Sequence, residues 1–210
     1  MRNSWTGNEA LSLTTEPDDL ALAVHRHEPA AFERLVETYE PSLFRFAERI
    51  LQSATDAEEV VQDTFLRAHR ALTRQYPEER CRELSLRPWL FRIVRNLAFN
   101  KGRNRMPKLE VPLAEADDDR KWHLRGLTRP PAVVRDIERR EEVERLDRAI
   151  AVLPAEYREL IVLRFMEEMS YAEISKTVGG NEASLRGKVF RSLKLLREAL
   201  GEKGVVHALP

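Results

Sequence analysis

The stretch Ser170-Tyr-Ala-Glu-Ile-Ser-Lys-Thr-Val-Gly-Gly-Asn181, running on into Glu182-Ala-Ser-Leu-Arg-Gly-Lys-Val-Phe-Arg-Ser-Leu-Lys-Leu-Leu-Arg197, decides how the chain is read. Ser170 and Glu173 have the spacing of a capping box, in which the hydroxyl accepts from the third backbone N–H and the carboxylate reaches back to the N-cap N–H. Ile174 and Val178 give the helix so started a buried side. Gly179 and Gly180 supply the positive φ that a sharp turn needs, and Asn181 is a good N-cap for the next helix. The pattern predicts a helix-turn-helix.

The second of these helices is basic. Between Glu182 and Glu198 it carries Arg186, Lys188, Arg191, Lys194 and Arg197 and no acid. At 100° per residue Leu185, Val189, Ser192, Leu193, Leu196 and Leu200 share one face, and Arg186, Phe190, Arg191 and Lys194 share the other. A phenyl ring among arginines has no core to fill there. In a major groove Phe190 would pack on a thymine methyl beside arginines that read guanine. The bland alternative is a solvated face with Phe190 tucked under a neighbouring element.

Net charge does not decide between them, because 35 Lys and Arg balance 35 Asp and Glu. The charge is segregated instead. A second acid-free stretch, Leu84 to Leu109, contains Arg87, Arg92, Arg95, Lys101, Arg103, Arg105 and Lys108, so one polyanion could be held at two places. With 210 residues and 42% hydrophobic content, the chain suits two small cores. A Pro-punctuated stretch from about Met106 to Pro131, with Asp117-Asp118-Asp119 and Pro130-Pro131, has no sustained helical period and reads as a linker.

The single cysteine, Cys81, has no partner for an internal disulfide, and the five histidines are scattered without zinc spacing. Neither a metal nor a cofactor is expected. No apolar run approaches the roughly 20 residues of a membrane span, and the N-terminus lacks a signal-peptide layout, so a soluble, cytoplasmic protein without membrane contact is expected. A Gly-rich phosphate loop and a nucleophile beside a base are both missing, so an enzyme with a small-molecule substrate is the weakest reading.

Periodicity is helical nearly everywhere. Helices are expected from about Asp18 to His27, Pro29 to Leu51 and Asp56 to Leu72, the last opened by a Thr55-x-x-Glu58 capping box. That third helix buries Ala57, Val61, Thr64, Phe65, Ala68 and Leu72 and shows Glu59, Gln62, Asp63, Leu66 and Arg70. Acids in its first half compensate the helix dipole. Residues Thr73 to Leu86 read as a polar loop. A further helix has Pro88 in its first turn, a buried stripe of Trp89, Leu90, Ile93, Val94 and Leu97, and an opposite side with Arg92, Arg95, Phe99 and Arg103. Those arginines could track phosphates while Phe99 touches sugars or unstacked bases, although Phe99 fits a core position equally well. The fold class is therefore all-α: two small helical domains joined by a flexible linker, the second containing the helix-turn-helix.

The run Asp56-Ala-Glu-Glu-Val-Val-Gln-Asp-Thr-Phe-Leu-Arg-Ala-His-Arg-Ala-Leu72, with Arg87-Pro-Trp-Leu-Phe-Arg-Ile-Val-Arg-Asn-Leu-Ala98, resembles region two of the extracytoplasmic-function sigma factors of bacterial RNA polymerase. Leu153-Pro-Ala-Glu-Tyr-Arg-Glu-Leu-Ile-Val-Leu-Arg-Phe165 followed by Ser170-Tyr-Ala-Glu-Ile174 resembles their region four. The resemblance implies residues 18–106 as region two, 107–136 as linker and 137–200 as region four, with tails at 1–17 and 201–210. It implies core RNA polymerase and promoter DNA as partners, and commonly an anti-sigma protein. Glu59, Gln62 and Asp63 would meet the polymerase. The loop Thr73 to Leu86 would hold a base flipped from the minus-ten element, with Arg92, Arg95, Phe99 and Arg103 along the DNA. Ser184, Arg186, Lys188, Phe190, Arg191 and Lys194 would meet the minus-thirty-five element. Gly180 and Gly187 depart from the family pattern, which usually has an apolar residue and a Ser there. In the family the linker threads polymerase channels, where Asp117 to Asp119 could mimic nucleic acid.

A conventional helix-turn-helix transcriptional regulator would explain the C-terminal half but leaves the Asp56 to Asn96 pattern without a purpose. A protein-interaction relay that never touches DNA would tolerate loss of Arg186 and Arg191.

Overall fold

In the computed structural model, residues 19–103 and 132–201 are described; the Asp117–Asp119 triplet, residues 104–131 and nearly all of both tails lie outside them. Among the described residues nine α-helices form two units. The first contains α1 (Leu20–His25), α2 (Ala31–Leu51), α3 (Ala54–Arg70), α4 (Glu78–Arg82) and α5 (Leu86–Arg103). The second contains α6 (Ala132–Ala151), α7 (Ala155–Ile161), α8 (Tyr171–Val178) and α9 (Glu182–Leu200). Residues 132–136, assigned to the linker above, are the first turn and more of α6.

The first unit is a three-helix core of α2, α3 and α5, flanked by α1 and α4. Leu35, Tyr39, Leu43, Phe46, Ala47 and Ile50 make the buried stripe of α2 at helical spacing. On α3, Ala57, Val61, Thr64, Phe65, Ala68 and the following Leu72 are buried, as the periodicity predicts. Phe46 meets Phe91 edge to face at 5.6 Å, which locks α2 against α5.

Three local readings need correction. The N-cap of α3 is Ser53, whose Oγ accepts from the Asp56 N–H, not Thr55. Starting two residues earlier makes Asp56 the third residue of the helix instead of the first, and its carboxylate lies 3.4 Å from Lys101 Nζ. The stretch Thr73 to Leu86 is largely helical: α3 runs on through a π-helical turn at Ala71–Gln75, and α4 follows. Cys81 on α4 is fully buried, and burial raises its thiol pKa. The buried stripe of α5 is rotated from the expected one, to Leu90, Phe91, Val94 and Ala98, because α5 is covered by α2 and α3 on one side and by α8 on another. Trp89, Ile93 and Leu97 are only partly buried.

In the second unit, α6, α7 and α8 all pack on α9, which buries Leu185, Val189, Ser192, Leu196 and Leu200. The two units are not separate. One apolar cluster runs through both, α8 lies along α5, and α7 meets α2.

At the junction sits Arg158 of α7, a buried guanidinium. It donates to Arg49 O (2.9 Å) and Ile50 O (3.1 Å) at the C-terminus of α2, and to Ile150 O (3.2 Å), Ala151 O (2.6 Å) and Leu153 O (2.8 Å) at and beyond the C-terminus of α6. These carbonyls belong to helix ends whose last turn has no intrahelical donors, and the cation faces the negative end of two helix dipoles. Gln52 Nε2 adds a bond to Ala151 O, and Arg49 pairs with Asp147 at 3.1 Å. Arg158→Met is expected to lower stability by roughly 3 kcal/mol in a urea titration followed by circular dichroism, because several buried acceptors lose their donor together; a loss under about 1 kcal/mol would mean that the guanidinium is dispensable.

Candidate nucleic-acid interface

The helix-turn-helix forms as its local chemistry dictates. Ser170 Oγ accepts from the Glu173 N–H at 3.2 Å, and the Ser170 N–H donates to the Glu173 carboxylate at 2.9 Å. Gly179 and Gly180 have φ of 84° and 87°, where a Cβ would be strained. Asn181 Oδ1 accepts from the Ser184 N–H at 2.7 Å, starting α9. The inner side of α8 is carried by Ile174 and Thr177, with Val178 only partly buried.

On α9 the face opposite the core is open. Ser184, Arg186, Lys188, Phe190, Arg191 and Lys194 are all exposed, with Phe190 at 45%. Among the described residues no element covers that ring, so it is not tucked under a neighbour there. Arg186 is steadied from two sides: its guanidinium lies 5.1 Å from the centre of the Tyr171 ring and 3.4 Å from the Glu182 carboxylate.

On α5, Arg92 and Arg103 are exposed, Arg103 donating to Asn100 at 2.8 Å. Arg95 is not. It forms a bidentate pair with Glu159 of α7 (2.5 and 3.0 Å) and stacks 4.7 Å from the centre of the partly buried Phe99 ring. Burial raises the Glu159 pKa above the ordinary 4.5, against the pull of Arg95. Glu167, between α7 and α8, is likewise raised by burial, with Arg45 and Arg87 of the first unit opposing. Beside α5 a cleft of about 530 Å³ is lined by Arg80, Trp89, Arg92 and the 83–85 turn, and by Lys176 of α8. Its aromatic wall is braced by Tyr76, whose ring carries the Arg80 guanidinium at 3.9 Å and whose hydroxyl meets Trp89 Nε1 at 3.3 Å.

A second surface lies on α2 and α3. Phe32, Val36, Phe44, Val61, Phe65 and Leu66 line a groove of about 400 Å³. Leu66 is 64% exposed, a large apolar side chain at a rim. Gln62 lines this groove, with Glu40 and Glu58. Glu59 is exposed but held by Lys101 at 2.5 Å, and Asp63 is exposed. Periodicity had already put Leu66 on the shown side of α3 but missed the α2 members; their signal was a second apolar stripe, Phe32, Val36 and Phe44, beside the core stripe. Among the described residues no group of His, Cys, Asp and Glu is arranged to hold a metal ion.

Residues 35–106 match Sigma-70 region 2 and residues 143–196 match Sigma-70 region 4. The RNA polymerase sigma-H factor of Pseudomonas aeruginosa is 30% identical over 90% of this chain and 96% of its own, and the ECF RNA polymerase sigma-E factor of Escherichia coli is 30% identical over 86% and 90%. The chain belongs to the extracytoplasmic-function sigma factors of bacterial RNA polymerase. The fold agrees: the structure of CnrH in complex with the cytosolic domain of CnrY superposes with a TM-score of 0.63 at 24% identity, over 90% of this chain and 99% of that one. Sigma factor RpoE of Bartonella quintana, in complex with the anti-sigma factor NepR, gives 0.57 at 21% identity over 81% and 97%. As a sigma factor the chain binds core polymerase and promoter DNA and directs transcription initiation.

This sigma factor's two departures from the family pattern have different physical contexts. Gly180 occupies a positive-φ position of the turn itself, whereas Gly187 is in the interior of α9, and a Cβ there meets nothing within 4 Å. Gly187→Ala is therefore expected to stabilise the free chain by about 0.5 to 1 kcal/mol, read from its urea midpoint.

The two buried carboxyls give a pH signature. Their folded pKa values lie above the unfolded ones, so the stability they contribute is fully present below the ordinary 4.5 and is lost as pH rises through the folded values. The Tm of Glu159→Gln/Glu167→Gln is expected to gain on wild type as pH rises through that window, by scanning calorimetry. A difference that stays flat from about pH 4 to 8 would contradict it.

Proposed function

We propose a residue-level division of labour within this sigma factor. The first unit, residues 18–106, binds core polymerase and the minus-ten element, and the second, 137–200, binds the minus-thirty-five element. The observation that carries the proposal is the α9 face, where Phe190 and four cations stand exposed on a helix whose other side is packed. Arg186, Phe190 and Arg191 read base edges in the major groove, and Ser184, Lys188 and Lys194 hold flanking phosphates. The cleft beside α5 receives a base taken from the stack against Trp89, with Arg92, Arg95, Phe99 and Arg103 along the strand. The groove of α2 and α3 seats an apolar ridge of the polymerase, and Gln62, Glu59 and Asp63 supply its polar rim.

The sigma factor acts as a binding subunit and not as a catalyst, in the cytoplasm, where its polymerase works. An anti-sigma protein holds it inactive; the structural relatives solved with such partners support this. The triplet Asp117 to Asp119 acts within the linker as a nucleic-acid mimic.

Run-off transcription with core polymerase on genomic fragments, followed by sequencing of new starts, tests the whole reading: starts that need the chain and share two spaced upstream elements are expected. Arg186→Ala or Arg191→Ala is expected to weaken minus-thirty-five binding by roughly tenfold, the loss of one good base contact, while polymerase binding is unchanged. Gln62→Ala/Asp63→Ala is expected to do the reverse. Equal loss of polymerase binding in both sets would overturn the division.

A further inference from the structure

We infer that Tyr171 is a positioning residue for promoter specificity: its ring presets the Arg186 guanidinium for guanine, and discrimination at that one base pair of the minus-thirty-five element depends on it. The inference rests on the assignment of Arg186 to base readout made above.

The cations on the open face of α9 are not equivalent. Arg186 has its guanidinium 5.1 Å from the centre of the Tyr171 ring, inside the roughly 6 Å over which an aromatic face attracts a cation. Among the described residues, Arg191 and Lys194 on the same face have neither a ring nor a carboxylate beside them. The ring itself is held. Tyr171 is the first residue of α8, a position set by the Ser170–Glu173 capping box, and it packs partly buried against the core. A second guanidinium, that of Arg164 in the π-helical turn after α7, lies 5.5 Å from the same ring centre and donates to Met169 O at 3.2 Å.

Two partners hold Arg186, and they act differently. Glu182 lies one turn earlier on α9, 3.4 Å from Arg186 Nη2, with the two side chains 48% and 63% exposed. A pair so open to water is weak and is screened by salt. It also occupies an N–H that guanine needs. The ring attracts the charge through its π face and offers no oxygen to compete for the N–H donors. Tyr171 can therefore stay in place while Arg186 donates to guanine O6 and N7, whereas Glu182 has to let go.

An arginine without such a support loses rotamer freedom when it is fixed against a base, and that loss offsets part of the cognate contact. A ring on the preceding helix that removes some of this freedom beforehand strengthens the bidentate contact without touching DNA. The register suits the role. In a helix-turn-helix the N-terminal part of the second helix meets the bases, and Arg186 is the fifth residue of α9.

The test uses the full chain with core polymerase and duplex DNA carrying the minus-thirty-five element found upstream of the mapped starts, with each base pair changed in turn. The quantity read is the ratio of affinities for the cognate and the changed duplex. Arg186→Ala is expected to flatten this ratio at one base pair. Tyr171→Leu is expected to lower it at the same base pair by roughly threefold to tenfold and to leave the others within about twofold. Tyr171→Phe keeps the ring and is expected to stay within about twofold of wild type. The double variant Tyr171→Leu/Arg186→Ala is expected to be no worse than Arg186→Ala, because the ring acts through that guanidinium. Equal loss at every base pair in Tyr171→Leu would overturn the inference, since the ring would then only support the fold. So would a Tyr171→Phe as poor as Tyr171→Leu, which would put the effect in the hydroxyl, or a double variant in which the two losses add. If circular dichroism shows Tyr171→Leu unfolded, phenylalanines of increasing ring fluorination at position 171 decide: the ratio must fall stepwise as the ring face loses its negative charge, and a constant ratio sinks the inference. Discrimination lost in Arg186→Ala but kept in Tyr171→Leu counts against the positioning role alone. An Arg186→Ala that alters no base pair would instead remove the assignment of Arg186, and the inference with it.

Discussion

A single guanidinium organises this molecule. Arg158 collects carbonyls from the ends of α2 and α6, helices that belong to different halves of the chain and lie about a hundred residues apart in sequence. Helix C-termini carry acceptors that must find donors, and here neither end is served by a glycine-rich cap of its own. The same cation answers both, so the two termini must converge on one point. The positions of α7 and of the helix-turn-helix behind it follow from that convergence.

Around this point the junction carries several ion pairs beside its apolar contacts. Burial works against Glu159 and Glu167, and each is kept tolerable by arginines from the opposite unit. Such pairs add little net stability compared with apolar packing, yet removing one partner leaves a costly orphan.

What could be read from the sequence was chemistry confined to a few neighbouring residues. The Ser170–Glu173 box, the positive-φ glycines and the Asn181 cap are closed within one turn each, and the amphipathic division of α9 follows from period alone. The start of α3 was misplaced because Ser53 and Thr55 both offer a hydroxyl three residues before an acid, and the choice is made by a distant partner, Lys101. The helical character of Thr73 to Leu86 escaped notice because a π-helical turn breaks the 3.6-residue period. For the candidate site, exposure of the α9 face was legible, but the state of Arg95 was not: Glu159 lies 64 residues away, and no periodicity reports a contact across two units. The α2–α3 groove was half visible, through Gln62 and Leu66, while its floor required knowing which stripe of α2 faces the core.

The carboxylates opposite the basic stretch also set how the protein responds to ions. Lys101 is committed to Asp56 and Glu59 within its own unit and stays so whatever the second unit does. Arg87 and Arg95 are committed across the junction, to the buried carboxylates Glu167 and Glu159. Added salt screens an exposed pair such as Lys101 with Glu59 far more than pairs whose carboxylate lies inside, so ionic strength loosens the outer contacts of the first unit before it reaches the junction.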